Sequence, residues 1–154
     1  MGLKEDLIEA WNINERIGRF LLDAVAEDDL GSKSDKSRTV RSQFAHIVSV
    51  RGMWLKSAAP ELLEGFPSLD KDTAGKPELA EALELSGRLI ARLVESALEE
   101  GQRVKGFKPT TAAFVGYLIA HEAHHRGMLE LSLRQVGRPV PDKVSYGLWE
   151  WGSR

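Results

Sequence analysis

The sequence contains no cysteine among its 154 residues. Disulfide bonds, thiolate ligands for a metal and a cysteine nucleophile are therefore all excluded. If sulfur chemistry takes place on this chain, the thiol has to come from a second molecule.

Long hydrophobic runs and an excess of one charge are also missing. No stretch reaches the roughly 18 consecutive apolar residues of a membrane span. Lys4, Glu5 and Asp6 interrupt any apolar run near the start, which argues against a signal peptide and predicts a cytoplasmic protein. The 21 basic and 23 acidic residues give a net charge of −2 without long runs of one sign. This balance argues against a nucleic-acid-binding surface.

The hydrophobic periodicity predicts an all-α fold. No strand pattern or internal repeat stands out, and the length suits a single domain over residues 1–154. Four helices are predicted, over Leu3–Val25, Thr39–Ser57, Pro77–Glu100 and Thr110–Val136. Four long helices of this kind fit a four-helix bundle of the up-down type.

Two segments outside these helices modify the predicted bundle. The second connection, Ala59–Lys76, is unusually long. It is either a crossover along the bundle or a flap over its open end. Gly137 predicts the end of the fourth helix, and Val140–Arg154 then predicts an extended tail, with a short final turn as an option. The aromatic residues of this C-terminal tail, such as Tyr146 and Trp149, predict that it packs on the bundle or joins a dimer contact.

Three of the four histidines lie in the fourth predicted helix. His121 and His125 are four residues apart, so both imidazoles point to one side of the helix. Buried imidazoles need partners for both nitrogens, and a metal supplies one partner to each ring. His46 lies on the inward side of the second helix and completes a predicted three-histidine metal site. The predicted inward stripe of the fourth helix comprises Phe114, Leu118, His121, His125, Met128 and Ser132.

Two alternatives to this site follow from the same residues. A bundle could bury hydrogen-bonded histidines without any metal. The run from His121 to His125 also matches the H-E-x-x-H signature of zinc peptidases, in which the glutamate is the general base. No histidine follows as a third ligand, so we expect a bundle site with Glu122 turned away from it. His124 is rotated by about 100° from His125 and is expected on the solvent side or in contact with one of the metal ligands.

Four segments of the chain form a recognisable pattern: Phe44 to Val48 with Trp54, His121 to Gly127, Leu133 to Pro139, and Tyr146 to Glu150. In these residues the chain resembles a known family, the DinB/YfiT-like metalloenzymes. The resemblance covers nearly the whole chain.

The resemblance implies a four-helix bundle with an open metal site, commonly bound by three histidines, which here are His46, His121 and His125. It implies a divalent ion such as zinc or nickel. It also implies homodimers and, for some members, thiol-dependent transferases that use low-molecular-weight bacterial thiols. One departure is Met128, where family members often have glutamine.

Three neutral histidines leave a coordination position for water or substrate, as in catalytic zinc sites. The sequence therefore predicts a metal-dependent thiol transferase or hydrolase that acts on a small molecule. The alternative is a metal-binding stress-associated or interaction protein without turnover. A metal-free structural bundle is the third hypothesis.

Overall fold

The computed structural model describes residues 2–154 and contains five α-helices, with no strand in that range. They are α1 (Leu3–Ala24), α2 (Val40–Ala58), α3 (Lys76–Glu99), α4 (Thr111–Gln135) and α5 (Asp142–Gly147). The four long helices pack against one another, which confirms the predicted all-α bundle. Their ends agree with the prediction to within one residue. None of the helices in the described part of the chain is long and apolar enough to cross a membrane.

The ends of α2 and α4 are fixed by local hydrogen bonds. The hydroxyl oxygens of Thr39 and Thr110 accept backbone N–H groups 3.0 and 3.2 Å away in the first turns. At the end of α4, Gly137 adopts a positive φ of 76°, and the N–H of Arg138 bonds the carbonyl of Leu133 at 2.8 Å. This is the glycine-terminated cap that the sequence predicts.

Of the two alternatives for the long second connection, a crossover or a flap, the structure contains the crossover. The early parts of α2 and α3 share one half of the core, and their late parts share the other half. The two helices therefore run in the same direction, and the chain between them must return along the bundle. Leu63 packs on the late half, Leu69 packs on the early half, and Phe66 contacts both.

The C-terminal tail packs on the bundle and has the short final turn, a 3₁₀ turn over Trp151–Ser153. The rest of the tail is not extended as predicted, because it forms α5. Val140 and Val144 are buried in the core half that contains the start of α2. A helix of six residues is less than two turns long, too short for a periodic pattern to be detected. Tyr146 and Trp149 remain exposed, by 73% and 82%.

Candidate metal centre

The structure brings His46 of α2 together with His121 and His125 of α4. One ring nitrogen of each histidine lies within 4.8 Å of the other two. The ring centres of His46 and His125 are 4.5 Å apart, and those of His121 and His125 are 4.6 Å apart. Three ring nitrogens this close together form a set of ligands for a divalent ion such as zinc. The three residues therefore fit a metal.

Gln43 orients one of the three rings. Its side-chain oxygen lies 2.7 Å from Nδ1 of His125, and both groups are buried. Because an amide oxygen only accepts, the bond requires the tautomer with hydrogen on Nδ1, which presents the lone pair of Nε2 to the cluster. This is the outer contact that metal-binding histidines usually make. By contrast, Nδ1 of His121 is buried and has no hydrogen-bond partner. A bound ion or a hydrogen-bond acceptor would satisfy this atom.

The environment keeps these histidines in the neutral form. Burial lowers the pKa of His125 to about 4, and the neighbouring His121 and His46 add to that effect. Burial also lowers the pKa of His46 and of His121. For His46 the positive charge of Arg38 lowers the pKa further. Neutral imidazoles are the form that binds metals, so the site is ready for an ion at neutral pH.

The buried face of α4 differs from the predicted stripe. Phe114, Leu118, His125 and Ser132 are buried as predicted, and His121 is half-buried, but Met128 is exposed. The prediction at Met128 is wrong because α4 is also apolar on its outer side, where Tyr117 and Leu131 are exposed. An apolar residue on such a helix does not identify the core side. His124 is exposed, one of the two positions expected for it.

Glu122 is buried in a network that joins all four long helices. Its carboxylate accepts Nε and Nη2 of Arg51 at 2.7 and 2.8 Å and the side-chain amide of Asn14 at 2.7 Å. Arg51 also donates to the carbonyl of Leu83 and the hydroxyl of Ser86, both on α3. Arg51 and Asn14 are fully buried, and Glu122 is 1% exposed.

This network determines which way α4 faces. Arg126 extends it by donating to Asn14 at 2.9 Å, so Glu122 and Arg126 both point towards α1. Successive helical residues are about 100° apart. Holding Glu122 and Arg126 against α1 therefore turns His121 and His125 towards α2. Glu122 is thus held away from the histidines, which is the arrangement expected of a bundle site and not of a zinc peptidase.

A cleft of about 990 Å³ opens beside His46. One wall is the α2 stripe that contains Ser42, His46 and Ser49, and the other is the crossover around Phe66. The ring of Phe66 packs so closely on α2 that a Cβ at Gly52 would lie 2.8 Å from it. A cleft of this size accommodates a small molecule next to His46.

Sequence reasoning missed Gln43 and Arg51 as parts of the site and its support. Both are polar residues on faces of α2 that are otherwise apolar. A polar residue at such a position indicates a buried partner, and this pattern could have identified them. Their partners on α4, His125 and Glu122, are more than 70 positions away in the chain, so periodicity could not pair them.

The fold and the site together define a four-helix bundle with a three-histidine cluster, of which His46 lines an open cleft. The sequence model of the DinB family matches residues 1–150, so the chain belongs to the DinB family. A comparison with curated proteins finds no match. The family and the cluster are consistent with a metal-binding protein.

Proposed function

We propose that this protein, as a single domain over residues 1–154, is a metal-dependent enzyme that transfers a thiol to a small electrophilic substrate, with hydrolysis as the related second reaction. Its ligands are His46, His121 and His125, and its ion is zinc or nickel. The observation that carries the proposal is the three-histidine cluster, one member of which, His46, lines a cleft of about 990 Å³. A structural metal is normally enclosed by four protein ligands, whereas three ligands next to a cleft leave room for substrate.

The protein's own residues have distinct roles in this proposal. Gln43 holds the ring of His125, and burial keeps the three imidazoles neutral. When bound, the ion would supply Lewis acidity and favour the thiolate form of a thiol or the hydroxide form of water. The thiol is external because the chain has no cysteine. Glu122 is engaged by Arg51 and Asn14, so it does not serve as a base for water, which favours thiol transfer over hydrolysis.

The test is a transfer assay on metal-loaded, untagged protein with a low-molecular-weight thiol and an activated aryl halide as the electrophile. We expect turnover by the wild type, none by His46→Ala, and wild-type turnover by His124→Ala. His124 is the matched control because it lies beside His125 but is exposed. Turnover that survives His46→Ala, or a loaded protein that is inactive with every thiol and electrophile class tried, would contradict the enzymatic function.

The second candidate is a metal-binding stress-associated or interaction protein without turnover. The exposure of Tyr146 and Trp149 favours it, because large exposed aromatic side chains are typical of contact surfaces. It predicts the same metal content as the enzyme but no product.

We further propose a homodimer in a bacterial cytoplasm. The exposed apolar side chains of Met128 and Leu131 on the outer side of α4 support a contact between two copies. Light scattering coupled to gel filtration tests the dimer, with Leu131→Lys as the variant expected to dissociate it. A monomeric wild type would contradict this part of the proposal.

A further inference from the structure

The cleft that His46 lines is apolar in its inner part and charged only at its rim. The lining residues that carry a charge at neutral pH are all exposed: Arg38, Lys56, Asp70, Lys71 and Asp72. By contrast, Ala45 and Val48 of α2 are buried. Phe66 and Leu69 of the crossover are half-buried. The inner part of the cleft therefore favours an uncharged, apolar group over a charged one.

Phe66 contacts α2 at Gly52, so the two walls of the cleft meet there. A Cβ at position 52 would lie 2.8 Å from Cζ and 2.9 Å from Cε1 of the Phe66 ring, and both residues line the cleft. A glycine is required for the ring to come this close. Glycine weakens the interior of a helix, and position 52 lies well inside α2. The packing of Phe66 supplies the physical reason for a glycine at this position.

The contact between Phe66 and Gly52 lies a short distance along α2 from His46. Gly52 is six residues beyond His46, which is about 9 Å along the helix axis. The crossover runs in the opposite direction to α2, since Leu63 packs on the late half of the core and Leu69 on the early half. Phe66 lies between them and contacts both halves. A ligand group that starts at His46 and extends along α2 in this direction therefore meets the Phe66 ring after about 9 Å.

We propose that the inner part of the cleft binds a short, uncharged apolar group of a small molecule, and that Phe66 limits the length of this group. The inference rests on the proposed function, because it takes His46, one of the proposed metal ligands, as the reactive end of the cleft. The substrate class is then an electrophile with a compact apolar group. Phe66 is a specificity-determining residue, and Gly52 allows its ring to lie against α2. Neither residue takes part in bond making or breaking.

The experiment measures how the affinity for straight-chain primary alcohols depends on their length. The probes are propanol, pentanol, heptanol and nonanol, and the extended chain of heptanol is similar in length to the space between His46 and Phe66. Alcohols are uncharged, so the charged rim does not select among them. Binding to the untagged full chain is followed by the NMR shifts of the backbone amides of Ser49 and Gly52, which require neither turnover nor added metal.

The proteins are the wild type, Phe66→Leu and Met53→Leu. Phe66→Leu keeps an apolar side chain on the crossover but lacks the ring atoms that contact Gly52. Met53→Leu is the matched control, because it changes another apolar residue of the same cleft that is 55% exposed. It should leave the dependence on chain length unchanged.

In the wild type, each added methylene up to heptanol should tighten binding by about fourfold, and nonanol should bind no more tightly than heptanol. In Phe66→Leu the gain should continue to nonanol, by about fourfold for each methylene. A wild-type affinity that keeps rising to nonanol, the same limit in Phe66→Leu, or no shift of either amide with any alcohol would overturn the inference.

These measurements concern binding alone, so a negative result leaves the proposed function to be decided by its transfer assay. The reverse combination is a length limit set by Phe66 in a loaded protein that is inactive in that assay. It would contradict the proposed function, and with it the identification of the bound molecule as a substrate.

Discussion

Replacing Glu122 by glutamine tests the buried network that orients α4. The change keeps the size of the side chain but removes its charge. Arg51 and Arg126 are 0% and 6% exposed, and they would be left in the core without their common counter-ion. Removing one partner of a buried ion pair is strongly destabilising because the remaining charge is not solvated.

The contacts of the Glu122 carboxylate determine how much unfolding free energy the substitution removes. The carboxylate accepts one N–H of Arg51 on Oε1, and a second N–H of Arg51 and one from Asn14 on Oε2. A glutamine amide has one acceptor oxygen. Its best orientation retains the two bonds at the Oε2 position and sets its NH₂ group against Nε of Arg51. The loss of that charged hydrogen bond costs about 1.5–3 kcal/mol. With the uncompensated charge, the total is about 3–5 kcal/mol.

Urea and thermal unfolding of metal-free protein measure this loss. For a chain of this length, about 3–5 kcal/mol corresponds to a fall in Tm of about 6–20 °C. The control is Glu9→Gln, which removes an equivalent charge from an exposed pair with Arg16 at 2.6 Å and should change the unfolding free energy little. If Glu122→Gln is no more destabilising than Glu9→Gln, the network does not hold α4 in place and the account of its orientation is wrong.

Further substitutions test the site and its packing. Gln43→Leu removes the hydrogen-bond acceptor of Nδ1 of His125 and should weaken metal affinity about 10–100-fold. Competition with a chromogenic chelator measures the affinity. An unchanged affinity would mean that the bond does not orient the ring. Gly87→Ala places a Cβ against the side chain of buried Glu15 and should destabilise the fold by about 1–3 kcal/mol in urea unfolding. Gly116→Ala, in a helix with nothing within 4 Å, should instead stabilise it by up to about 1 kcal/mol, and equal effects of the two changes would contradict the packing described.

The parts of the structure that depend on local sequence could be predicted, and the parts that depend on pairing could not. The helices were placed to within one residue because capping threonines and Gly137 mark their ends. The i, i+4 spacing of His121 and His125 is likewise a local property of one helix. The direction of the long crossover depends on which parts of the helices pack together in each half of the core. No single segment of the sequence contains that information.

The chemistry around the histidines shows the same division. Arg51 and Glu122 are charged residues that a pattern of hydrophobicity assigns to the surface, yet both are about 1% exposed or less because they neutralise each other across the bundle. Met128 was misplaced for the opposite reason, since an apolar residue on the outside of α4 does not differ in type from those inside.

The most direct test of the central claim is the metal content of the untagged protein by elemental analysis, beside that of His121→Ala. A histidine tag has to be absent because it binds the same metals. We expect about one zinc or nickel ion per chain in the wild type and little in the variant. No metal in either protein, even after incubation with zinc or nickel, would contradict the account and favour a structural bundle with hydrogen-bonded histidines.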